Sequence, residues 1–192
     1  MKIAIMGAGF VGESLARAVT KAGYEVMLSS RNLNSEKIQS LIADIGDKAQ
    51  AGTVEETLAF SDVVALALQF DAALEVVKTG DWSGKVILDM TQGEMTQLQD
   101  ASGTSVVKIF NSIGAEHYQD PDFNGLTASM LYCGDDDSAK EIAAKIASDI
   151  GFDAIDAGDA SLGVHLANLA KLWVQLMLKG AGRDFAFKLI RK

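Results

Sequence analysis

The residues best suited to chemistry are glycines near the start of the chain. Gly7, Gly9 and Gly12 form the pattern G-x-G-x-x-G directly after an apolar run at residues 3–6. Glycine here permits a tight strand-to-helix turn, a close backbone approach to a pyrophosphate, and close packing of helix on strand. The free N–H groups and dipole of a helix start attract phosphate charge. The predicted dinucleotide loop consists of Gly7, Ala8, Gly9, Phe10, Val11 and Gly12.

The end of the second predicted strand indicates which dinucleotide is bound. Residues 25–30 are typical of a strand, and Ser29, Ser30, Arg31 and Asn32 at its end include no acidic side chain. An NAD site usually has Asp or Glu there to bind the ribose 2′-hydroxyl. Hydroxyls and a guanidinium instead bind a 2′-phosphate, and Lys37 could add a further positive charge. The sequence therefore predicts NADP, with a solvated turn as the alternative role of Arg31.

Alternating strands and helices must position these loops. Buried strands are predicted at residues 3–6, 25–30, 48–52, 63–68, 85–89 and 106–110. Helices are predicted at residues 10–22 and 34–45, as a brief helix that begins after Thr53, and from residue 72 to 77. Ser35 is the expected cap of the second helix, and Thr53 with Glu56 forms a capping box. A strand at 127–133, a helix to 150, a strand at 152–157 and an apolar helix at 160–178 follow, and the basic segment 183–192 suits a helix C-terminus.

This alternation predicts an α/β fold: a Rossmann-type, doubly wound, mainly parallel sheet with a short C-terminal helical extension. We expect a single NAD(P)-binding domain over residues 1–192. Residues 1–125 would form the dinucleotide-binding core. Residues 126–192 would add strands and helices that cover the cleft.

Composition limits the class of partner. Seventeen basic and 26 acidic residues give a net charge of -9, which disfavours nucleic acid and anionic membranes. No apolar stretch approaches the roughly 20 residues of a membrane helix, and a strand directly after Met1 leaves no room for a signal peptide. The lone cysteine, Cys133, suits a reducing compartment and is expected to be a small core residue. These features predict a cytoplasmic protein.

Acid–base groups are scarce in the chain. Patterns of the type Tyr-x-x-x-Lys, Gly-x-Ser-x-Gly and His-Glu-x-x-His are absent. The run Asp135-Asp136-Asp137 is expected to cap a helix rather than bind a metal, and no metal site is predicted. His117 follows the sixth strand and either contacts substrate or is solvated, while His165 is expected to be structural or at an interface.

The scarcity of acid–base groups bears on the type of reaction. Hydride transfer between NADPH and a flavin-like ring requires mainly alignment, whereas alcohol oxidation requires a proton acceptor. The sequence therefore favours a ring-to-ring reductase without a catalytic acid or base over an alcohol dehydrogenase.

Several segments in a fixed order carry a family resemblance. They are the glycine loop, Ser29-Ser30-Arg31, the helix start at 134–140, the segment 156–158, and the terminal segments 180–182 and 187–189. Together they resemble the F₄₂₀-dependent NADP oxidoreductases, NADPH-binding proteins that exchange hydride with a deazaflavin coenzyme. The reductase domain of the membrane ferric reductases is similar as well, and its hydride acceptor is a flavin.

The resemblance implies a role for each part of the site. The glycine loop would hold the pyrophosphate, and Ser30 and Arg31 the 2′-phosphate. The positions that would border the nicotinamide and its ribose are Ala67, Leu68, Gln69, Thr91 and Asn111. Apart from the resemblance, Ser112, His117 and Trp173 are the candidate contacts of the acceptor. Gln69 stands where the family commonly has Pro, and Gln92-Gly93 where many members have Asn-Pro. The acceptor therefore stays open between F₄₂₀ and a flavin.

Two other functions remain open. One is a non-catalytic NADPH sensor that binds a partner protein. The other is a reductase of another small substrate, such as a β-hydroxyacid or an imine, but those enzymes carry a large helical domain and only about 35 residues follow the last predicted strand here. A homodimer is a further expectation, because the chain is short for a dehydrogenase.

Overall fold

The computed structural model describes residues 1–192 and contains ten strands and seven α-helices. The strands are β1 (Lys2–Met6), β2 (Glu25–Ser29), β3 (Ala49–Gly52), β4 (Val63–Leu66), β5 (Val86–Asp89), β6 (Ser105–Lys108), β7 (Asp122–Phe123), β8 (Leu126–Thr127), β9 (Ser129–Cys133) and β10 (Asp153–Gly158). The helices are α1 (Phe10–Lys21), α2 (Glu36–Ile45), α3 (Val54–Phe60), α4 (Phe70–Val77), α5 (Met95–Ser102), α6 (Asp137–Asp149) and α7 (Gly163–Leu176).

Eight of the strands form one sheet in the order β3-β2-β1-β4-β5-β6-β9-β10. Strands β1 to β6 are parallel, β9 pairs antiparallel with β6, and β10 is parallel to β9. The order 3-2-1-4-5-6 is that of doubly wound nucleotide-binding sheets, in which ligands bind where the strand order reverses. The predicted α/β, Rossmann-type fold is confirmed.

The sheet is covered by helices on both faces. Ile3 and Ile5 of β1 belong to a core cluster that includes side chains of α1, α2 and α6. Ala4 and Met6, which alternate with them, belong to a second cluster with side chains of α3, α4, α5 and α7. Burial on both faces explains why residues 3–6 are a continuous apolar run rather than an alternating pattern.

Local signals at the helix starts are confirmed. The side chain of Ser35 accepts from the Ile38 N–H at the start of α2, and Thr53 and Glu56 form a complete capping box at α3. Asp136 caps α6 by accepting from the Ala139 N–H at 3.1 Å. Cys133 is buried, as predicted for a small core residue. None of the helices combines the length and the hydropathy that crossing a membrane requires.

The structure corrects the prediction at several elements. Helix α5 was not predicted, because its polar sequence buries only Met95 and Leu98. The predicted strand 127–133 is divided between β8 and β9, and β8 pairs with β7 in a separate hairpin. Residues 109 and 110 lie beyond β6, since Phe110 adopts a φ of +61° that turns the chain out of the sheet.

The C-terminal segment is also different from the prediction. Residues 183–192 form no helix. After α7 the chain makes a π-helical turn (Met177–Ala181), and Gly180 and Gly182 with φ of +100° and +75° end it. The segment instead lies along the start of β9, where the Ser129 N–H donates to the carbonyl of Phe187 at 3.0 Å.

Candidate functional site

The carboxyl ends of β1, β5 and β6 meet the start of α1 and the end of α7 around a cavity of about 220 Å³. It is mostly apolar, and its lining consists of Phe10, Val11, Met90, Gln92, Phe110, Asn111, Ile113, Gly114, Ala115, Tyr118, Ala170, Trp173, Val174, Met177 and Arg183. A parallel sheet of this order binds ligands at this edge. The cavity is therefore the candidate functional site.

A larger, open groove of about 570 Å³ lies at the opposite edge of the sheet, at the starts of β5 and β6. Its two hydroxyl groups are already paired: the Ser105 hydroxyl donates to Asp136 at 2.6 Å, and the Thr104 hydroxyl donates to the carbonyl of Lys85. We assign no site to this groove.

The glycines of the predicted loop are required for different reasons. Gly7 has a φ of +109°, and a Cβ there would lie 2.6 Å from the carbonyl oxygen of Ala67. A Cβ on Gly12 would lie 2.0 Å from the carbonyl oxygen of Gly7. Gly9, by contrast, has nothing within 4 Å of its Cβ position and begins α1 without a side-chain cap. The helix start is therefore open to an anionic ligand, as a pyrophosphate site requires.

Ser29 has a structural role in this loop. Its side chain is buried, and its hydroxyl accepts from the Gly7 N–H at 2.9 Å. The bond ties the end of β2 to the glycine loop. The hydroxyl of Ser29 thus stabilises the conformation of the loop. Its predicted contact with the nucleotide stays a prediction.

The next predicted residues lie at the exposed end of β2. The Ser30 hydroxyl accepts from the Asn32 N–H at 3.2 Å. Arg31 and Lys37 are exposed, and neither forms an ion pair or a side-chain hydrogen bond within the chain. Arg31 follows β2, the neighbour of β1 in the sheet, and Lys37 lies in the first turn of α2. They are available for a 2′-phosphate.

The residues after β4 lie on the other side of the loop. Ala67 contacts Gly7 and continues the ladder by donating its N–H to the carbonyl of Met6 at 3.0 Å. Leu68 is half-buried, and Gln69 is exposed at the start of α4, where its side chain makes no capping bond. None of the three lines the cavity. Their position beside the loop is compatible with the predicted role near the ribose.

Thr91 is held by a buried ion pair that the sequence analysis missed. Its N–H donates to Oδ1 of Asp89 at 2.9 Å, and its carbonyl accepts from Nζ of Lys108 at 3.1 Å. Lys108 also donates to Oδ2 of Asp89 at 2.5 Å, and both charged side chains are fully buried. The sequence does contain a signal for this pair, because each of two apolar strands ends in a charged residue, Asp89 in β5 and Lys108 in β6.

Asn111 is the predicted residue that the structure brings into the cavity with free hydrogen-bonding groups. Its side chain is 7% exposed, and neither its amide oxygen nor its amide nitrogen has a partner. Its main-chain carbonyl accepts from the Gln92 side chain at 3.4 Å. A buried polar group without a partner costs about 1–3 kcal/mol, so the amide is suited to a ligand that completes its bonds.

Two of the predicted acceptor contacts do not lie at the cavity. Ser112 is buried outside the lining. His117 is held elsewhere, with Nε2 3.0 Å from the carbonyl oxygen of Arg183 and its ring against Phe123. It is neither a solvated loop residue nor a residue of the cavity, because the C-terminal segment lies against it. His165 is exposed on α7.

Trp173 does line the cavity, together with residues of the C-terminal segment. Its ring stacks on Phe185 with centroids 5.1 Å apart, and its Nε1 donates to the Phe185 carbonyl at 3.0 Å. The guanidinium of Arg183 lies 5.6 Å from the Trp173 ring and pairs with Glu116, with Nη2 2.9 Å from Oε2. Hydrogen bonding to Arg183 lowers the pKa of the Glu116 carboxyl below its usual value.

Comparisons with known proteins agree with this geometry. A family model described as NADP oxidoreductase, coenzyme F₄₂₀-dependent, matches residues 2–93, which contain the glycine loop and the ends of β2, β4 and β5. The chain is similar to a crystal structure described as a candidate F₄₂₀-dependent NADP reductase from Arthrobacter sp. FB24. The TM-score is 0.84 at 23% identity, covering 100% of both chains.

Two further proteins share part of their length with this chain. A reductive aminase from Aspergillus terreus, in complex with NADPH and ethyl-5-oxohexanoate, gives a TM-score of 0.70 at 22% identity, covering 93% of this chain and 62% of that one. Metalloreductase STEAP3 of Rattus norvegicus is 27% identical over 170 residues, 82% of this chain and 34% of its own, so this chain spans about a third of that relative. Residues 2–93 match the family model of the F₄₂₀-dependent NADP oxidoreductases, and the whole chain has a Rossmann-type fold.

Proposed function

We propose that the protein binds NADPH at the carboxyl edge of the sheet and passes a hydride to a flavin-like ring, either F₄₂₀ or a flavin. The observation that carries this proposal is the apolar cavity beside the glycine loop, with the unpartnered amide of Asn111 inside it. The family description and the bound nucleotide of the reductive aminase support the choice of NADP.

The residues present suit three parts of the nucleotide. The open helix start at Gly9 suits the pyrophosphate, and the unpaired cations Arg31 and Lys37 suit the 2′-phosphate. At the other end, the side chain of Asn111 offers one acceptor and two N–H donors, the complement of a carboxamide. When bound, NADPH would supply a hydride, which carries two electrons and one proton. The reduced acceptor ring would take its second proton from solvent.

The chemistry of the cavity favours a ring acceptor over an alcohol or a ketone. Tyr118 and Arg183 are its only titratable lining residues. The hydroxyl of Tyr118 donates to the carbonyl of Phe110, and the guanidinium of Arg183 pairs with Glu116. Neither is free to exchange a proton with a carbinol oxygen. The mostly apolar lining leaves alignment as the main contribution of the protein.

A non-catalytic NADPH-binding role is the second candidate, and the volume of the cavity favours it. About 220 Å³ is below the roughly 300–1,000 Å³ of typical small-molecule sites. That space suits a nicotinamide and leaves little room for a second ring system. A partner protein could then respond to the bound nucleotide.

Single-turnover kinetics test these candidates. The protein is loaded with NADPH, and the loss of nicotinamide absorbance is followed after mixing with F₄₂₀, FMN, FAD or riboflavin, with a protein-free control for each acceptor. Fast oxidation by one of these rings supports the hydride-transfer proposal and names the acceptor. Tight NADPH binding without oxidation by any ring supports the sensor, and a protein that does not bind NADPH contradicts both.

A further inference from the structure

We infer that Tyr118 is a positioning residue for the nicotinamide end of the site: its hydroxyl holds Phe110 in a left-handed conformation and so directs the side chain of Asn111 into the cavity. The inference rests on the proposed function, because it requires a ligand for Asn111. Tyr118 belongs to no sequence motif, and its contact with Phe110, eight positions earlier, is visible only in the structure.

The first observation is the backbone of Phe110. Its φ of +61° makes it one of only two non-glycine residues with a positive φ, and the other is Asn124. Asn tolerates this conformation in turns, whereas a bulky aromatic residue adopts it only where surrounding structure imposes it. Strained residues of this kind occur preferentially at ligand sites. Some contact must therefore hold Phe110 in place.

Tyr118 provides that contact. Its side chain is fully buried, and its hydroxyl donates to the carbonyl oxygen of Phe110. The two rings also pack together with centroids 5.6 Å apart, and both rings contact Phe152. Burial raises the pKa of the Tyr118 phenol, so the hydroxyl remains a donor at physiological pH. The hydrogen bond acts on the carbonyl that immediately precedes Asn111.

The consequence of this geometry lies at Asn111. Both polar atoms of its amide are buried without a partner, and its side chain lines the cavity. A left-handed residue changes the direction of the chain, so a Phe110 that relaxed to an extended conformation would rotate Asn111 away from the cavity. The cost of the strain and of the unpartnered amide is understandable if a bound carboxamide completes the bonds of Asn111.

The variant that tests the inference is Tyr118→Phe, which removes the hydroxyl and keeps the ring. The matched control is Tyr24→Phe, because the Tyr24 hydroxyl donates to Asp149 and neither residue lines the cavity. Calorimetry measures the affinity of each protein for NADPH and for 2′,5′-ADP, which lacks the nicotinamide half. We expect Tyr118→Phe to weaken NADPH about tenfold, the worth of one hydrogen bond, and to leave 2′,5′-ADP unchanged. Tyr24→Phe should change neither affinity.

A double-mutant cycle with Asn111→Ala shows whether Tyr118 acts through Asn111. In the Asn111→Ala background, Tyr118→Phe should have almost no further effect on NADPH, because coupled residues are not additive. Fully additive effects, equal losses for NADPH and 2′,5′-ADP, or a Tyr118→Phe variant that unfolds would each overturn the inference. If the wild-type protein binds 2′,5′-ADP and NADPH and the Tyr118→Phe variant binds NADPH with the same affinity, the inference is overturned and the proposed function is not. A wild-type protein that binds neither ligand overturns the proposed function as well.

Discussion

Lys108 and Asp89 form an ion pair beneath the candidate site, with 2.5 Å between Nζ and Oδ2 and with no exposed surface on either side chain. Both charges also bond to the main chain of Thr91, one to its carbonyl and one to its N–H. The pair therefore connects the ends of β5 and β6 to the loop that borders the cavity. Its removal should affect the stability of the sheet edge on which the site depends.

Lys108→Met should destabilise the protein by about 3–5 kcal/mol, because it leaves the carboxylate of Asp89 buried without its partner. Chemical denaturation followed by far-UV circular dichroism measures the change. Lys78→Met is the control, since Lys78 pairs with Glu75 at the surface, where such a pair contributes about 0–1 kcal/mol. The double variant Asp89→Asn/Lys108→Met should recover part of the loss. Equal effects of Lys108→Met and Lys78→Met would contradict the importance of burial.

Substitution of two neighbouring glycines should have different effects. Gly12→Ala places a Cβ 2.0 Å from a backbone oxygen, an overpacking that costs about 1–3 kcal/mol. Gly9→Ala meets nothing within 4 Å, so its stability should stay within about 0.5 kcal/mol of wild type. Its methyl group nevertheless occupies the open approach to the helix start, and NADPH affinity should fall about tenfold or more. A Gly9→Ala variant that binds NADPH normally would exclude a pyrophosphate at this position.

Arg31→Ala should weaken NADPH much more than NADH. A hydrogen bond to a charged group is worth about 1.5–3 kcal/mol, or roughly tenfold to a hundredfold in affinity. Fluorescence titration with both nucleotides provides its own control, because they differ only in the 2′-phosphate. The difference should diminish at high salt, since Arg31 is exposed. An equal loss for both nucleotides would refute the assigned role of Arg31.

The contact between Glu116 and Arg183 should be sensitive to acid. The pKa of Glu116 is lowered in the folded protein. The stability that this contact contributes to the folded state is therefore fully present above the ordinary glutamate pKa and is lost as the pH falls through the lowered pKa. In a Trp82→Phe background, Trp173 is the remaining tryptophan, and it lies under Arg183. Its fluorescence should change as the pH falls below about 4.5.

The control for this titration is Glu116→Gln, which should remove the acid-dependent change at Trp173. Far-UV circular dichroism over the same range separates release of the C-terminal segment from global unfolding. An identical fluorescence profile in the two proteins would show that another group controls the segment.

The sequence by itself determined those features that depend on neighbours along the chain. Apolar runs buried on both faces predicted the parallel strands, and Thr53 with Glu56 predicted the start of α3. The glycine loop was recognisable because the turn at Gly7 and the packing of Gly12 are requirements of a single strand-to-helix connection. Polar segments with few buried residues, such as α5, carried too weak a pattern to be predicted. The homodimer stays a prediction.

Only the tertiary structure decided how residues distant in the chain meet at the site. Lys108 pairs with Asp89 on the neighbouring strand, Tyr118 reaches back to Phe110, and Arg183 pairs with Glu116 over a separation of 67 residues. The same packing places His117 on the C-terminal segment rather than in the cavity. These contacts depend on strand order and on the path of the chain after α7, which local periodicity does not contain. The glycine loop and the fold class could therefore be predicted from the sequence, whereas the side chains that shape and support the cavity could not.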